Sequence, residues 1–305
     1  MHYFCRLILQ VCHKMKYFRL HIALVVSLAS TWMGQGSLSA QITQGSEIGI
    51  WAGTAYSFTD INNSIKHLPM AREGGGIFYR WNFHDRWTLK PSFSYGYLRG
   101  ADSLSDNLFE SRRNLSYRNL TYDLSGSLEF NFFKRNRRKH QDYRYFTPYL
   151  GLGFGLFYHN PQAYFNGEWQ DLRPLGTEGQ NFAELGYPDP YKRIGISVPI
   201  SGGVKYIFAK HWAAGFQVSF HKTFTDYLDD VSTVYVDRTV LLSGPDGALA
   251  AALADRSTIV DVPAVGVPGR QRGDSQRNDA YFFAGLSLSY VFAELKCPPP
   301  SRGGF

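Results

Sequence analysis

The stretch from Leu120 to Phe132 alternates, without exception over thirteen residues, between one face of apolar, aromatic or glycine residues and one polar face. Successive side chains of a β-strand point to opposite faces, so the pattern predicts a strand that is apolar on one side. Strands in soluble sheets are about 5–6 residues long, whereas a tilted strand needs about 9–11 residues to cross a bilayer. The polar face carries Asp123 and Glu129, which suits an interior shielded from lipid. The stretch therefore predicts a transmembrane β-strand.

Seven further segments show the same two-residue period and similar length. They are residues 46–56, 74–83, 87–98, 147–159, 194–208, 212–224 and 280–292. The connections between the eight strands alternate between long and short, as the outer loops and periplasmic turns of outer-membrane barrels do. We therefore predict an all-β fold, an eight-stranded antiparallel transmembrane outer-membrane β-barrel over residues 41–292. A secreted β-sandwich is the alternative, although such long strands would then need edge protection. Pro91 lacks a ladder donor and predicts a bulge or weak point in its strand.

The front of the chain has the layout of a secretory signal within residues 1–40. Lys16 and Arg19 precede an apolar run, and Ser-Leu-Ser-Ala ends at Ala40, which predicts Gln41 as the mature start. Met15 is the more natural initiator. This layout predicts export through the general secretory pathway to the cell outer membrane, with both termini in the periplasm and residues 293–305 as a periplasmic C-terminal tail.

Composition and motifs favour a non-catalytic role. The net charge is +7, but the basic residues form no stripe on a recognised nucleic-acid module, so we expect no nucleic-acid partner. The histidines stand in no hydrolase or metal-binding motif, and no Gly-x-Ser-x-Gly is present. We expect no catalytic residue, no cofactor, no metal and no small-molecule substrate. His221 is interpreted as an interior hydrogen-bonding group, and Asp229 and Asp230 as a solvated acidic turn rather than a cation site.

Several segments, taken in order, resemble the PorG family of the Bacteroidota type IX secretion system. The matching stretches are residues 128–133, 146–154, 198–206, 224–231 and 278–285, followed by Tyr290-Val-Phe292 and the tail Lys296-Cys297-Pro298. The Phe-Thr-Asp-x-Leu-Asp run and the Lys-Cys-Pro tail are the most telling. The resemblance implies a non-enzymatic outer-membrane barrel that anchors a periplasmic ring of PorK and PorN.

A basic turn and the tail are the candidate contacts to that ring, because opposite charge steers association. The candidate partner-binding residues are Lys134, Arg135, Arg137, Arg138, Lys139, Lys296 and Cys297. The expected partners are outer-membrane lipid and PorK/PorN-like ring proteins. Two alternatives stay open: a small barrel that binds a ligand or receptor, or acts as a channel, through its long outer loops, and a lipid-modifying enzyme. The second would need converging His, Ser and acidic side chains, and the strand spacing offers none.

Overall fold

The computed structural model describes residues 46–62, 70–134, 145–257 and 265–292. Ten strands form one sheet. Their bounds are β1 Glu47–Phe58, β2 Arg72–Arg80, β3 Trp87–Ala101, β4 Ser116–Asn131, β5 Tyr145–Tyr158, β6 Pro161–Phe165, β7 Glu168–Asp171, β8 Ile194–Ala209, β9 Trp212–Thr223 and β10 Ala280–Val291. The signal segment and the tail, predicted for residues 1–40 and 293–305, lie outside the described residues.

Eight of these strands close into a ring. The order is β3-β2-β1-β10-β9-β8-β5-β4, and β3 pairs with β4 to complete the circle. Every pairing is antiparallel, including the seam between β1 and β10, which runs from Glu47 opposite Val291 to Phe58 opposite Ala280. The fold is therefore a closed eight-stranded antiparallel β-barrel. The prediction of a barrel is confirmed, and the alternative of two open stacked sheets is wrong.

The two faces of the strands divide as the sequence period requires. Large apolar side chains point outward and are exposed, including Ile50 (60%), Leu152 (60%) and Leu286 (70%). The opposite row points into the barrel, where Asp123 and Glu129 are fully buried. The barrel is thus inverted relative to a soluble protein, with an apolar outer wall and a polar filling.

A hairpin extends the sheet beyond the ring. β6 pairs with the start of β4, and β7 pairs with β6, within a region that the sequence analysis treated as loop. Its turn is formed by Asn166 (φ 51°) and Gly167 (φ 91°), both left-handed. Asn-Gly is a favoured pair for a two-residue hairpin turn, so the signal was present in the sequence.

The ladder between β2 and β3 is interrupted at Pro91. Continuous pairing ends at Phe78 opposite Ser92 and resumes only at the bridge between Trp81 and Leu89. Proline has no N–H to donate to the neighbouring strand. The weak point predicted for Pro91 is confirmed.

The long connections at one end of the barrel carry short helices and fold over its mouth; we call this set of loops the cap (residues 59–62, 70–71, 102–115, 159–193, 224–257 and 265–279). The helices are α1 Leu108–Arg113, α2 Leu172–Leu175, α3 Arg238–Leu242 and α4 Gly247–Ala254. The alanine-rich sequence of α4 favours a helix, because alanine has the highest helix propensity. In the described part of the chain, no helix has the length and apolar character needed to cross a membrane.

Candidate functional site: the filled lumen and the cap

Buried charges fill the lumen towards the end of the barrel that has short turns. Arg80 donates to Glu129 at 2.8 Å, and Lys205 donates to Glu47 at 3.1 Å. Lys90 lies 3.5 Å from Glu129, and Arg80 lies 3.8 Å from Glu47, so the two carboxylates share three cations. All five side chains are almost completely buried. Buried ion pairs persist only where their geometry and hydrogen bonds are good, so these contacts hold the strands in a fixed arrangement.

The glycine row of β5 makes room for this network. A Cβ placed on Gly151 would lie 2.5 Å from the Ser201 hydroxyl and 3.3 Å from Glu129. The absence of a side chain at Gly151 therefore leaves the interior space against which Glu129 packs.

The next layer is a group of serines around a single histidine. The Ser219 Oγ lies 2.9 Å from His221 Nε2, and His221 Nδ1 lies 3.3 Å from Asp123 Oδ2. Asp123 also accepts from the Tyr281 hydroxyl at 2.8 Å. The interpretation of His221 as an interior hydrogen-bonding group is confirmed.

This order of contacts has the connectivity of a Ser-His-Asp triad, which the sequence spacing did not reveal because Asp123 comes from the other side of the barrel. The space beside Ser219 and His221 is a cavity of about 20 Å³. Such a cavity holds roughly one water molecule. An acyl substrate does not fit there, and the three side chains serve as lumen filling in this conformation.

An apolar plug closes the lumen below the cap. Leu228 is fully buried in a cluster with Phe157, Tyr281, Phe283 and Trp51. Its carbonyl accepts from the Asn119 side chain at 2.8 Å, and its N–H donates to Asp279 Oδ2 at 2.8 Å. A residue of the cap therefore completes the core of the barrel, whose interior is just wide enough for side chains to fill, as in other eight-stranded barrels.

Two buried arginines hold the cap together. Arg113 forms a two-pronged contact with Asp102, with both N···O distances at 2.7 Å, and also donates to the carbonyl of Asp60. Arg272 donates to Glu178 at 2.8 Å and to the carbonyl of Asp230 at 2.6 Å. Planar guanidinium groups suit such contacts because several donors act from one rigid group. These contacts join four different connections into one folded cap.

The Asp229–Asp230 pair is not a solvated acidic turn, so that interpretation is wrong. Asp229 is 1% exposed and Asp230 is fully buried. Asp229 accepts from the N–H groups of Ile61 and Val231, and Asp230 accepts from the hydroxyls of Thr177 and Tyr191. Burial raises the pKa of Asp229 to about 8 and that of Asp230 to about 6, although Arg272 opposes the second shift. Nevertheless, no group of three or more His, Cys, Asp or Glu in the described ranges is arranged to hold a metal ion.

Most of the predicted partner-binding residues lie outside the described part of the chain. Lys134 is exposed at the end of the connection after β4. The remaining candidates, which are Arg135, Arg137, Arg138, Lys139, Lys296 and Cys297, fall in undescribed ranges. Lys134 follows Phe132 and Phe133, which are 45% and 53% exposed.

Comparison with known proteins gives one family match. The model for "Domain of unknown function (DUF6089)" matches residues 23–174, which is just under half of the chain. The comparison with curated proteins gives no match. The matched region covers β1 to β7 and α1, and it ends within α2, before β8.

Several solved outer-membrane barrels are also similar to this chain, with low sequence identities and low TM-scores. Neisserial surface protein A (NspA) shares 9% identity and a TM-score of 0.39, over 81% of this chain and 97% of that one. Ail of Yersinia pestis shares 11% identity and a TM-score of 0.35, over 82% and 99%. The N-terminal β-barrel domain of Pseudomonas aeruginosa OprF shares 10% and 0.33, over 82% and 100%. At such scores the barrel assignment depends on the strand pairing of this chain, which closes the ring by itself.

Proposed function

We propose that the protein is an integral outer-membrane barrel with a non-enzymatic role as a structural component of the type IX secretion system, where it anchors a PorK/PorN-like periplasmic ring. The observation that carries the proposal is the filled lumen. Arg80, Glu129 and Glu47 occupy the interior of the closed barrel, where their side chains are at most 2% exposed. A barrel of this kind acts through its surfaces rather than through a pore.

The outer wall supports the membrane location. Exposed apolar side chains run around the barrel, and a closed ring leaves no unpaired edge to face lipid. Aromatic residues concentrate near the short-turn end, where Trp81, Trp87 and Trp212 are 50%, 38% and 44% exposed. Outer-membrane barrels carry such aromatic girdles at the membrane–water boundary. The short-turn end then faces the periplasm, and the cap faces outward.

The resemblance to the PorG family supports the ring partner. Five of its segments fall wholly or mostly on strands of the barrel, in β4, β5, β8 and β10, and residues 224–231 form the part of the cap that plugs the lumen. Lys134, the first residue of the basic run, lies at the short-turn end, which is the face available to a periplasmic ring.

The proposal is tested by co-purification from detergent-solubilised outer membranes. Replacing Lys134, Arg135, Arg137, Arg138 and Lys139 by Gln, in combination with deletion of residues 293–305, should reduce recovery of the ring proteins at least tenfold. The matched control neutralises Lys222, Arg238 and Arg277, which are exposed at the opposite end. Recovery of the ring proteins at the level of the unaltered chain in the combined variant would show that the docking surface is elsewhere. Their absence from the unaltered preparation would refute the anchoring role.

One observation favours a second candidate function, a barrel that binds a ligand or receptor through its outer loops. A cleft of about 830 Å³ lies between the cap and the rim of the barrel, with Phe109, Arg113, Lys222 and Arg277 among its lining residues. Sites for small molecules are typically about 300–1,000 Å³ with a few polar groups. Replacing Phe109 by Trp would narrow this cleft and should abolish binding of such a ligand without affecting ring recovery.

A further inference from the structure

The cap buries more carboxyl groups than it can neutralise. Six are buried, and they are Asp102, Glu178, Asp226, Asp229, Asp230 and Asp279. The two buried guanidinium groups of the cap are both engaged, Arg113 with Asp102 and Arg272 with Glu178. Burying an ionised carboxylate without a cation is costly, and such a group takes up a proton instead.

Asp226 is the clearest case. It is 7% exposed, and within the described structure no hydrogen bond of good geometry reaches either of its carboxyl oxygens. Four acidic groups face it and disfavour a negative charge on it, while the Ser232 hydroxyl favours one; the four are Asp60, Asp229, Glu178 and Asp279. Burial raises the pKa of Asp226 to about 8.

Asp229 and Asp279 share this environment. Burial raises the pKa of both, and Asp60 adds to the shift in each case, while the N–H of Leu228 opposes it for Asp279. Around them, Asp274 faces Asp60, the Tyr117 hydroxyl faces Asp229, and the Arg113 guanidinium interacts electrostatically with both Asp60 and Asp229. Arg113 is already bound by both oxygens of Asp102, so it offsets only part of the repulsion.

These carboxyl groups flank the plug. The segment Asp226-Tyr227-Leu228-Asp229 places Leu228 in the apolar core below the cap, and the Leu228 N–H is bound by Asp279. One cluster of carboxyl groups therefore contains Asp226 and Asp229, at the two ends of the segment, and Asp279, which binds its middle.

We propose that residues 226–229 form a proton-held plug, which stays seated in the barrel mouth while Asp226, Asp229 and Asp279 keep their protons and loosens as they ionise. This goes beyond the anchoring role and does not depend on it. A carboxyl group whose pKa is higher in the seated plug than in the loosened plug stabilises the seated plug. This stabilisation is complete when the pH is below the ordinary pKa of the group. The stabilisation declines as the pH rises and is lost at the raised pKa. The plug should therefore loosen progressively between about pH 4 and pH 8.

Hydrogen–deuterium exchange of the full-length protein in detergent micelles between pH 5 and 8 tests the proposal, with rates corrected for intrinsic exchange. Protection of the peptide covering residues 224–232 should fall about tenfold per pH unit for each participating carboxyl. A peptide from the wall strand, residues 284–290, should keep its protection. Constant protection of 224–232 in the unaltered protein across this range would overturn the proposal, whatever the variants do.

Two variants and one ion complete the experiment. Asp226→Asn and Asp229→Asn mimic the protonated groups. Each should make the hydrogen-exchange protection of residues 224–232 less dependent on pH, by up to about tenfold per pH unit. Asp189→Asn is the matched control, because Asp189 is exposed in the cap, and the slope should be unchanged. If 5 mM calcium chloride raises the protection of 224–232 at pH 5 and a chelator removes that protection at the same pH, a bound cation rather than protons holds the plug and the proposal is wrong.

Discussion

Glu129 is the residue on which the lumen network depends most directly. It is fully buried and binds Arg80 at 2.8 Å and Lys90 at 3.5 Å. Replacing it by Ala removes one of two carboxylates that serve three buried cations, so among the described carboxylates Arg80 retains only Glu47, at 3.8 Å, in addition to its hydrogen bond to the Tyr149 hydroxyl. Removing one partner of a buried ion pair costs about 3–5 kcal/mol, because the other charge stays buried without compensation. We expect Glu129→Ala to lower the free energy of unfolding by about that amount.

The assay is reversible urea unfolding of the purified barrel in lipid vesicles, followed by tryptophan fluorescence. Ser127→Ala is the matched control, because Ser127 lies two residues away on the same inner face and is also buried but uncharged. It should cost about 1 kcal/mol or less, the worth of an ordinary hydrogen bond. A second comparison is Glu129→Gln, which keeps the shape and should lose nearly as much as Ala. If Glu129→Ala costs less than 1 kcal/mol, the network does not stabilise the barrel and the reasoning from buried charge fails.

Three other predictions concern the wall and the cap. A Cβ on Gly53 would lie 2.1 Å from the Ala284 carbonyl, so Gly53→Val should prevent seam closure, seen as loss of the heat-modifiable band on a gel, whereas Gly126→Ala, with open space around it, should not. Arg113→Met leaves Asp102 buried without its cation, so limited proteolysis should cut the cap at least tenfold faster, with Arg112→Met as the exposed control. Pro91→Val restores a ladder donor and should stabilise the barrel against urea by about 0.5–1 kcal/mol, and destabilisation would show that Pro91 is not the cause of the gap.

The barrel could be predicted because its signal is local. Residues 120–132 alternate faithfully enough to place β4, and the structure extends that strand only four residues earlier, to Ser116. The cap could not be predicted in the same way. Asp229 and Asp230 stand in a polar run that looks solvated, and their burial depends on Ile61, Thr177 and Tyr191, which are far away in the chain.

The triad-like contact shows the same limit. Ser219 and His221 are two residues apart, so their common face was readable, but Asp123 reaches them only because the barrel closes. The hairpin of β6 and β7 is a different case, since its Asn166-Gly167 turn was a usable local signal.

The interruption at Pro91 makes the pairing of β2 with β3 the weakest between neighbouring strands of the barrel wall. The first and last strands are joined along twelve consecutive residue pairs, whereas β2 and β3 share five pairs and one separate bridge. Backbone groups without partners are expensive in hydrocarbon, so a stretched or thinned bilayer acts on this site first. A molecule that passes laterally between the barrel interior and the lipid would therefore pass between β2 and β3. The seam between β1 and β10 would stay closed.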